Sequence, residues 1–127
     1  MRLERLQRFS ATPWAISPHA LRALCASTSA IPQSKIEFDD ARDETEVDDG
    51  VAIIPISGII DKDITPIDAL FGSVDVEDIR ETLALAMEDE TVKGIVLDFD
   101  SPGGVVTGVP ELAEYVAECS KVSIHAP

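Results

Sequence analysis

The sequence predicts an α/β fold in which parallel strands alternate with amphipathic helices. Two short apolar runs rich in β-branched residues, 51–56 and 94–99, have the composition of buried strands in a parallel sheet. Between them, apolar residues in the segment 76–87 recur at the helical period. A second helical pattern at 107–119 and a third apolar segment at 121–126 continue the alternation. This order predicts parallel strand pairs joined by right-handed crossovers.

The composition limits both the size of the fold and the class of function. The 127 residues, 45% hydrophobic and 27% charged, are enough for one modest globular domain. A net charge of −14 argues against a nucleic-acid-binding protein. No apolar run approaches the roughly 18 residues of a membrane-spanning helix, and no signal-peptide core is visible. Cys25 and Cys119 give no disulfide framework, so a cytoplasmic location is expected.

The chain is predicted to have three parts. Residues 1–28 form an N-terminal helical arm, in which Ser17 caps a helix, Pro18 is its first residue, and Trp14 packs on the helix. Residues 29–50 form an acidic flexible linker, because eight acids between positions 37 and 49 repel one another. The folded domain then occupies residues 51–127.

The elements of the domain follow in order. The first strand ends before a turn at Gly58, and residues 61–75 are expected to be irregular. Asp75 is placed to cap the helix that follows. After the strand 94–99, Pro110 is expected among the first four residues of the second helix, whose N–H groups have no partner within the helix.

The turn at 100–104, Asp-Ser-Pro-Gly-Gly, is the best candidate for chemistry. It joins a buried strand to a helix, and its backbone N–H groups suit a phosphate, a carboxylate or the oxyanion of acyl transfer. Its glycines do not have the G-x-G-x-x-G spacing of a dinucleotide site, and no Lys follows as in a P-loop.

Two further interpretations use the acids around this turn. Asp98 and Asp100 resemble the Asp-x-Asp of haloacid-dehalogenase-like enzymes, which would make the chain a magnesium-dependent phosphotransferase. Alternatively, Ser101 is a nucleophile, with His125 as its base and either Asp as orienter. The simpler expectation is that Asp98 hydrogen-bonds within the turn and Asp100 fixes the loop.

The segment 100–104, after Ile-Val-Leu-Asp, resembles the signal peptide peptidase A family of serine peptidases, relatives of ClpP that include phage head-maturation proteases. Segments 51–60 and 92–94 resemble the opening strand of that family and the lead into its central strand. Segment 12–16, Thr-Pro-Trp-Ala-Ile, is similar to a segment ahead of the phage-type domain. The resemblance implies the start of a ClpP/crotonase-like spiral of strand–helix repeats.

The same resemblance implies the site. Gly103 and Gly104 would form the oxyanion hole, and a substrate strand would pair alongside Val105 and Val106. The nucleophilic Ser and basic Lys of the family are expected beyond Pro127, so residues 1–127 alone are expected to be inactive. An inactive peptidase-fold assembly module or gene remnant is the alternative.

The expected partners follow from the resemblance as well. They are a protein or peptide substrate and either further copies of the chain or phage capsid or scaffold proteins, in the cytoplasm of a bacterial host if a phage encodes the chain. No cofactor, metal ion, nucleic acid or membrane span is expected.

Overall fold

A computed structural model describes residue 7 and residues 11–27, 45–64 and 73–127. These residues form eight strands and three helices, arranged in two four-stranded sheets. The strands are β1 (Trp14–Ile16), β2 (Glu46–Asp48), β3 (Val51–Ser57), β4 (Ile59–Asp61), β5 (Ser73–Asp75), β6 (Gly94–Asp100), β7 (Gly103–Val105) and β8 (Val122–His125). The helices are α1 (Pro18–Ser27), α2 (Val76–Glu88) and α3 (Val109–Glu118).

The central sheet has the order β2-β3-β6-β8. Strands β3, β6 and β8 are parallel, with Val51 opposite Gly94 and Ile95 opposite Val122. Crossovers through α2 and α3 join them, as the alternation of strand and helix patterns predicted. The α/β class and the three parallel strands are therefore confirmed.

A second sheet, with the order β1-β7-β4-β5, was not predicted. The chain bends from β3 into β4 at Gly58, which has a φ of 98°, and from β6 into β7 at Ser101-Pro102. The N–H of Gly58 donates to the carbonyl of Asp100 at 3.1 Å, so the two bends are joined. The stretch 61–75 contains the strand β5 and is not wholly irregular, while residues 65–72 lie outside the described part.

The core lies between α2 and one face of the central sheet. Its buried apolar side chains come from alternate positions of β3 and β6 and from one face of α2, with one more from the loop before β6 and one from α3. They are Ala52, Ile54, Ile56, Val76, Ile79, Leu83, Ala86, Val92, Ile95, Leu97 and Leu112. The predicted cap of α2 is confirmed, since Oδ1 of Asp75 accepts from the N–H of Glu77 at 2.8 Å.

Two short strands lie within the segments predicted as arm and linker. Strand β2 lies within the predicted linker and pairs antiparallel with β3. Asp49 and Gly50 form the turn between them with φ of 47° and 81°, because a two-residue hairpin of this kind needs positive φ at both positions. The hydroxyl of Ser17 accepts from the N–H of Ala20 at 3.3 Å, as predicted for the cap of α1. Trp14 lies in the strand β1 that precedes this helix.

The start of α3 also agrees with the sequence. The helix begins at Val109, which makes Pro110 its second residue, where a missing N–H removes no helical hydrogen bond. Gly108 precedes it in the left-handed region, with φ of 84°. Among the described residues, no helix is long and apolar enough to span a membrane.

Candidate functional site

The two glycines of the predicted oxyanion turn lie in strand β7, between β1 and β4. The bend itself is made by Ser101 and Pro102. The Ser101 hydroxyl lies 3.2 Å from both the nitrogen and the carbonyl oxygen of Gly103, so it accepts from the former and donates to the latter. Ser101 therefore holds the bend that directs Gly103 and Gly104 into the second sheet.

One edge of β7 faces β4. Gly104 lies opposite Ile60 in a parallel pair. The backbones approach so closely that a Cβ on Gly104 would lie 1.8 Å from the carbonyl oxygen of Ile60. Glycine is required at this position by the fold itself, before any substrate is considered.

The other edge of β7 faces β1. The two strands are antiparallel, with Trp14 opposite Val105, Ala15 opposite Gly104 and Ile16 opposite Gly103. Two hydrogen bonds of 3.0 Å flank these pairs, one from the N–H of Ser17 to the carbonyl of Pro102 and one from the N–H of Val106 to the carbonyl of Pro13. A Cβ on Gly103 would lie 2.0 Å from the carbonyl oxygen of Ala15.

These pairings determine where the N–H groups of the glycines point. The N–H of Gly103 donates to the Ser101 hydroxyl. In an antiparallel ladder, hydrogen-bonded pairs alternate along the strands, and the flanking bonds make Ala15 and Gly104 such a pair. The N–H of Gly104 thus faces a backbone carbonyl of an extended segment. The predicted pairing edge at Val105 and Val106 is occupied by the chain's own residues 13–16.

A cleft of about 440 Å³ opens beside the bend. Apolar side chains from β4, β6 and β8 form much of its wall, and the bend and the last residues of the chain complete it. The lining residues are Ile60, Phe99, Asp100, Ser101, Gly103, Ile124, Ala126 and Pro127. The space next to Gly103 therefore suits an apolar side chain.

Asp98 lies within β6 rather than in the turn, which corrects the expectation for its hydrogen bond. Its Oδ1 is 2.7 Å from Nδ1 of His125, its register partner on β8. The alternative triad is thus assembled in part: Asp98 and His125 meet, whereas the Ser101 hydroxyl hydrogen-bonds with Gly103. Asp100 ends β6 and is exposed.

The described part of the chain contains no group of three or more His, Cys, Asp or Glu side chains that could hold a metal ion. The resemblance includes segment 12–16, but the pairing of these residues with β7, above all that of Ala15 with Gly104, was not predicted. A signal for them existed, since Trp14 and Ile16 are strand-forming residues directly after Pro13.

Comparisons with known proteins point to phages. The head-tail preconnector protein GP5 of Enterobacteria phage P21 is 26% identical over 111 residues, covering 75% of this chain and 22% of that protein. The capsid assembly protease C of Escherichia phage lambda is 33% identical over 72 residues, covering 57% of this chain and 16% of that protein. The chain thus spans less than a quarter of either relative.

No family model matches the chain, and no solved structure matches it. The two phage proteins support a relationship to proteins of phage capsid maturation, a protease among them. That relationship agrees with the phage branch of the resemblance noted in the sequence.

Proposed function

We propose that the chain is the N-terminal part of a phage-type serine endopeptidase, related to signal peptide peptidase A, that acts in capsid maturation. In this proposal its strand–helix repeats begin a ClpP/crotonase-like spiral. Gly103 and Gly104 form the oxyanion hole, in which the N–H of Gly104 is the donor because the N–H of Gly103 donates to the Ser101 hydroxyl. The edge of β7 at Val105 and Val106 binds the substrate backbone.

The observation that carries the proposal is the pairing of Ala15 with Gly104. An extended segment lies along β7 with a backbone carbonyl facing the N–H of Gly104. A peptide substrate of a serine peptidase needs this arrangement, with its backbone held as an added strand and a carbonyl directed at N–H donors. The edge of β7 therefore has the hydrogen-bonding pattern that peptide recognition requires.

Each part of the site has a role in the proposed reaction. An N–H donor in an oxyanion hole contributes roughly a hundred- to a thousandfold in kcat. The apolar cleft beside Gly103 would receive a substrate side chain. By the family resemblance, the nucleophilic Ser and the basic Lys come from residues beyond Pro127. Residues 1–127 are then expected to bind peptide without cleaving it, because no acyl-enzyme forms without a nucleophile.

A second candidate is a peptidase-fold module that serves in head assembly without cleavage. The observation that favours it is the similarity to a protein named head-tail preconnector. In that case the chain would bind capsid proteins through the same edge of β7.

Labelling with a fluorophosphonate probe tests the proposal. The reading frame is expressed in two forms, as residues 1–127 and together with the DNA that follows codon 127. We expect a label on a serine beyond residue 127 in the longer product, and none in the shorter one. A label on Ser101, abolished by Ser101→Ala, would assign the nucleophile to the bend and overturn the proposal. A longer product that binds capsid protein but takes no label would favour the assembly module.

A further inference from the structure

Strand β1 pairs with β7 but contributes no side chain to the buried core of the described part of the chain. It pairs with β7 over three residues. The buried core of the described residues begins at Ala52 and takes no side chain from β1. Removal of β1 from β7 would therefore leave the packing of α2 on the central sheet unchanged.

Prolines limit the paired region at both ends. The carbonyls of Pro13 and Pro102 each accept a hydrogen bond of 3.0 Å, but neither residue has an N–H with which to continue the ladder. The pairing is thus confined to residues 13–17 against residues 102–106. This is the length of a short peptide bound to a sheet edge.

We propose that the edge of β7 that faces β1 is a docking edge for extended peptides. In this proposal β1 occupies the edge in cis and must be displaced by an incoming peptide. That the incoming peptide is a substrate rests on the proposed function. Displacement and docking themselves do not depend on it.

The side chains of β1 indicate which peptides the edge accepts. Trp14 and Ile16 are half-buried, whereas Ala15 between them is exposed. Because side chains alternate along a strand, the first two point to one face and Ala15 to the other. The edge therefore selects a peptide with apolar residues at the two positions that flank the residue opposite Gly104. That central residue needs a free N–H, since it pairs with Gly104 in the hydrogen-bonded register.

The position of Trp14 makes the exchange measurable. It is the one tryptophan of the sequence, so selectively excited tryptophan fluorescence reports on β1. The probe is a fluorescein-labelled peptide, Thr-Pro-Phe-Ala-Ile-Ser, in which Phe replaces the tryptophan. Its binding to the full 127-residue chain is followed by anisotropy, and displacement of β1 by the emission of Trp14.

The variant Ala15→Pro weakens the pairing of β1 with β7, because proline has no N–H to donate to the carbonyl of Gly104. Because β1 is part of the same chain, it competes with the free peptide at an effective concentration on the order of millimolar. A β1 that pairs more weakly leaves the edge of β7 open in a larger fraction of the molecules. We expect Ala15→Pro to bind the peptide roughly three- to tenfold more tightly than the unaltered chain, as the loss of one backbone hydrogen bond implies. The control Ala15→Thr keeps the N–H and suits a strand, so it should bind the peptide no more tightly than the unaltered chain does.

Binding of the peptide should also shift the emission of Trp14 in the unaltered chain to longer wavelength. A peptide with N-methylalanine in place of alanine should neither bind nor shift it. Equal affinities for Ala15→Pro and Ala15→Thr, or equal binding of the N-methylated peptide, would overturn the proposal. A dimer whose formation depends on chain concentration and is lost in Ala15→Pro would also overturn it, since β1 would then pair with a second copy.

These measurements involve no cleavage. Absence of a reactive serine in the longer product would contradict the proposed peptidase and leave the docking edge intact. Absence of exchange at β7 would contradict the docking edge and leave the peptidase proposal to the labelling experiment.

Discussion

Asp98 and His125 are joined across two parallel strands, with 2.7 Å between Oδ1 of the one and Nδ1 of the other. The two side chains are 47% and 66% exposed. An exposed pair of this kind contributes at most about 1 kcal/mol to stability. The contact is more informative about chemistry, because it occupies an oxygen of the carboxylate that a phosphotransferase would use for magnesium.

Magnesium at millimolar concentration is expected to leave the melting temperature unchanged. A bound ion would raise it by mass action, and the described residues offer no cluster of three ligands. Thermal melts with and without MgCl₂ measure this for the unaltered chain, for Asp98→Asn and for the control Glu90→Gln. A rise that Asp98→Asn removes and Glu90→Gln retains would restore the phosphotransferase interpretation.

The carboxylate of Asp89, at the end of α2, should titrate at a lower pH than an ordinary Asp. It accepts hydrogen bonds from the hydroxyl of Thr91 at 2.6 Å and from the N–H of Thr91 at 2.8 Å, and these bonds lower its pKa. A depressed pKa in the folded state gives stability that is present above the ordinary pKa and lost as the pH falls through the folded-state pKa.

Thr91→Val removes the hydroxyl and should raise the pKa of Asp89 toward its ordinary value, which an NMR titration of the side-chain carboxyl would measure. Thr107→Val, on an exposed turn, is the control and should leave this pKa unchanged. An unchanged pKa in Thr91→Val would show that the hydroxyl does not stabilise the carboxylate.

The parallel core could be predicted from sequence, but the second sheet could not. β3 and β6 are seven residues long, and their apolar composition and the period of α2 identify them locally. β1, β4, β5 and β7 have three residues each, too few for any period to show. Their partners are set by the bends at Gly58 and Ser101, which bring distant segments into register.

The sequence predicts the glycine pair as a candidate site, but it does not predict that the packing of the strands also requires these glycines. Their lack of Cβ serves the close approach of β1 and β4 as well as any substrate. The hairpin at Asp49-Gly50 had a clear local signal, because Asp-Gly is typical of two-residue turns. The acidic composition around it concealed that signal.

The hairpin strand β2 leads to a prediction about the acidic segment. Deletion of residues 30–48 should destabilise the domain by about 1 kcal/mol or more relative to deletion of residues 30–44, because the longer deletion removes β2 and exposes an edge of β3. Urea unfolding of the two proteins measures the difference. Equal midpoints would mean that the pairing of β2 contributes nothing to stability.

The face of α2 that packs on the sheet should dominate its contribution to stability. Leu83 is fully buried, so Leu83→Ala should lower the free energy of unfolding by about 2–5 kcal/mol. Leu85 on the same helix is 65% exposed, and Leu85→Ala should change it by about 0.5 kcal/mol at most. Denaturant unfolding compares the two matched variants. A similar loss in both would show that Leu85 is covered in solution.

Replacement of each glycine of β7 by alanine should destabilise the protein, but through a different strand in each case. In Gly103→Ala the new Cβ collides with the carbonyl of Ala15, and the residue must keep a φ of 116°. β1 should therefore leave β7, with a red shift of Trp14 emission and a loss of about 1–3 kcal/mol. In Gly104→Ala the Cβ collides with Ile60 in β4, which cannot leave because it continues from β3. We expect a larger loss, of about 3 kcal/mol or more.

Gly94→Ala is the matched control for this pair. A Cβ there would meet its nearest neighbour, Cγ2 of Val51, at an ordinary 3.9 Å. Alanine also restricts the unfolded chain more than glycine does, so stability should stay the same or rise by up to about 1 kcal/mol. Urea unfolding and Trp14 emission, recorded for all three variants, separate the cases. If Gly103→Ala left the emission of Trp14 unchanged, β1 would not be held against Gly103 in this close contact.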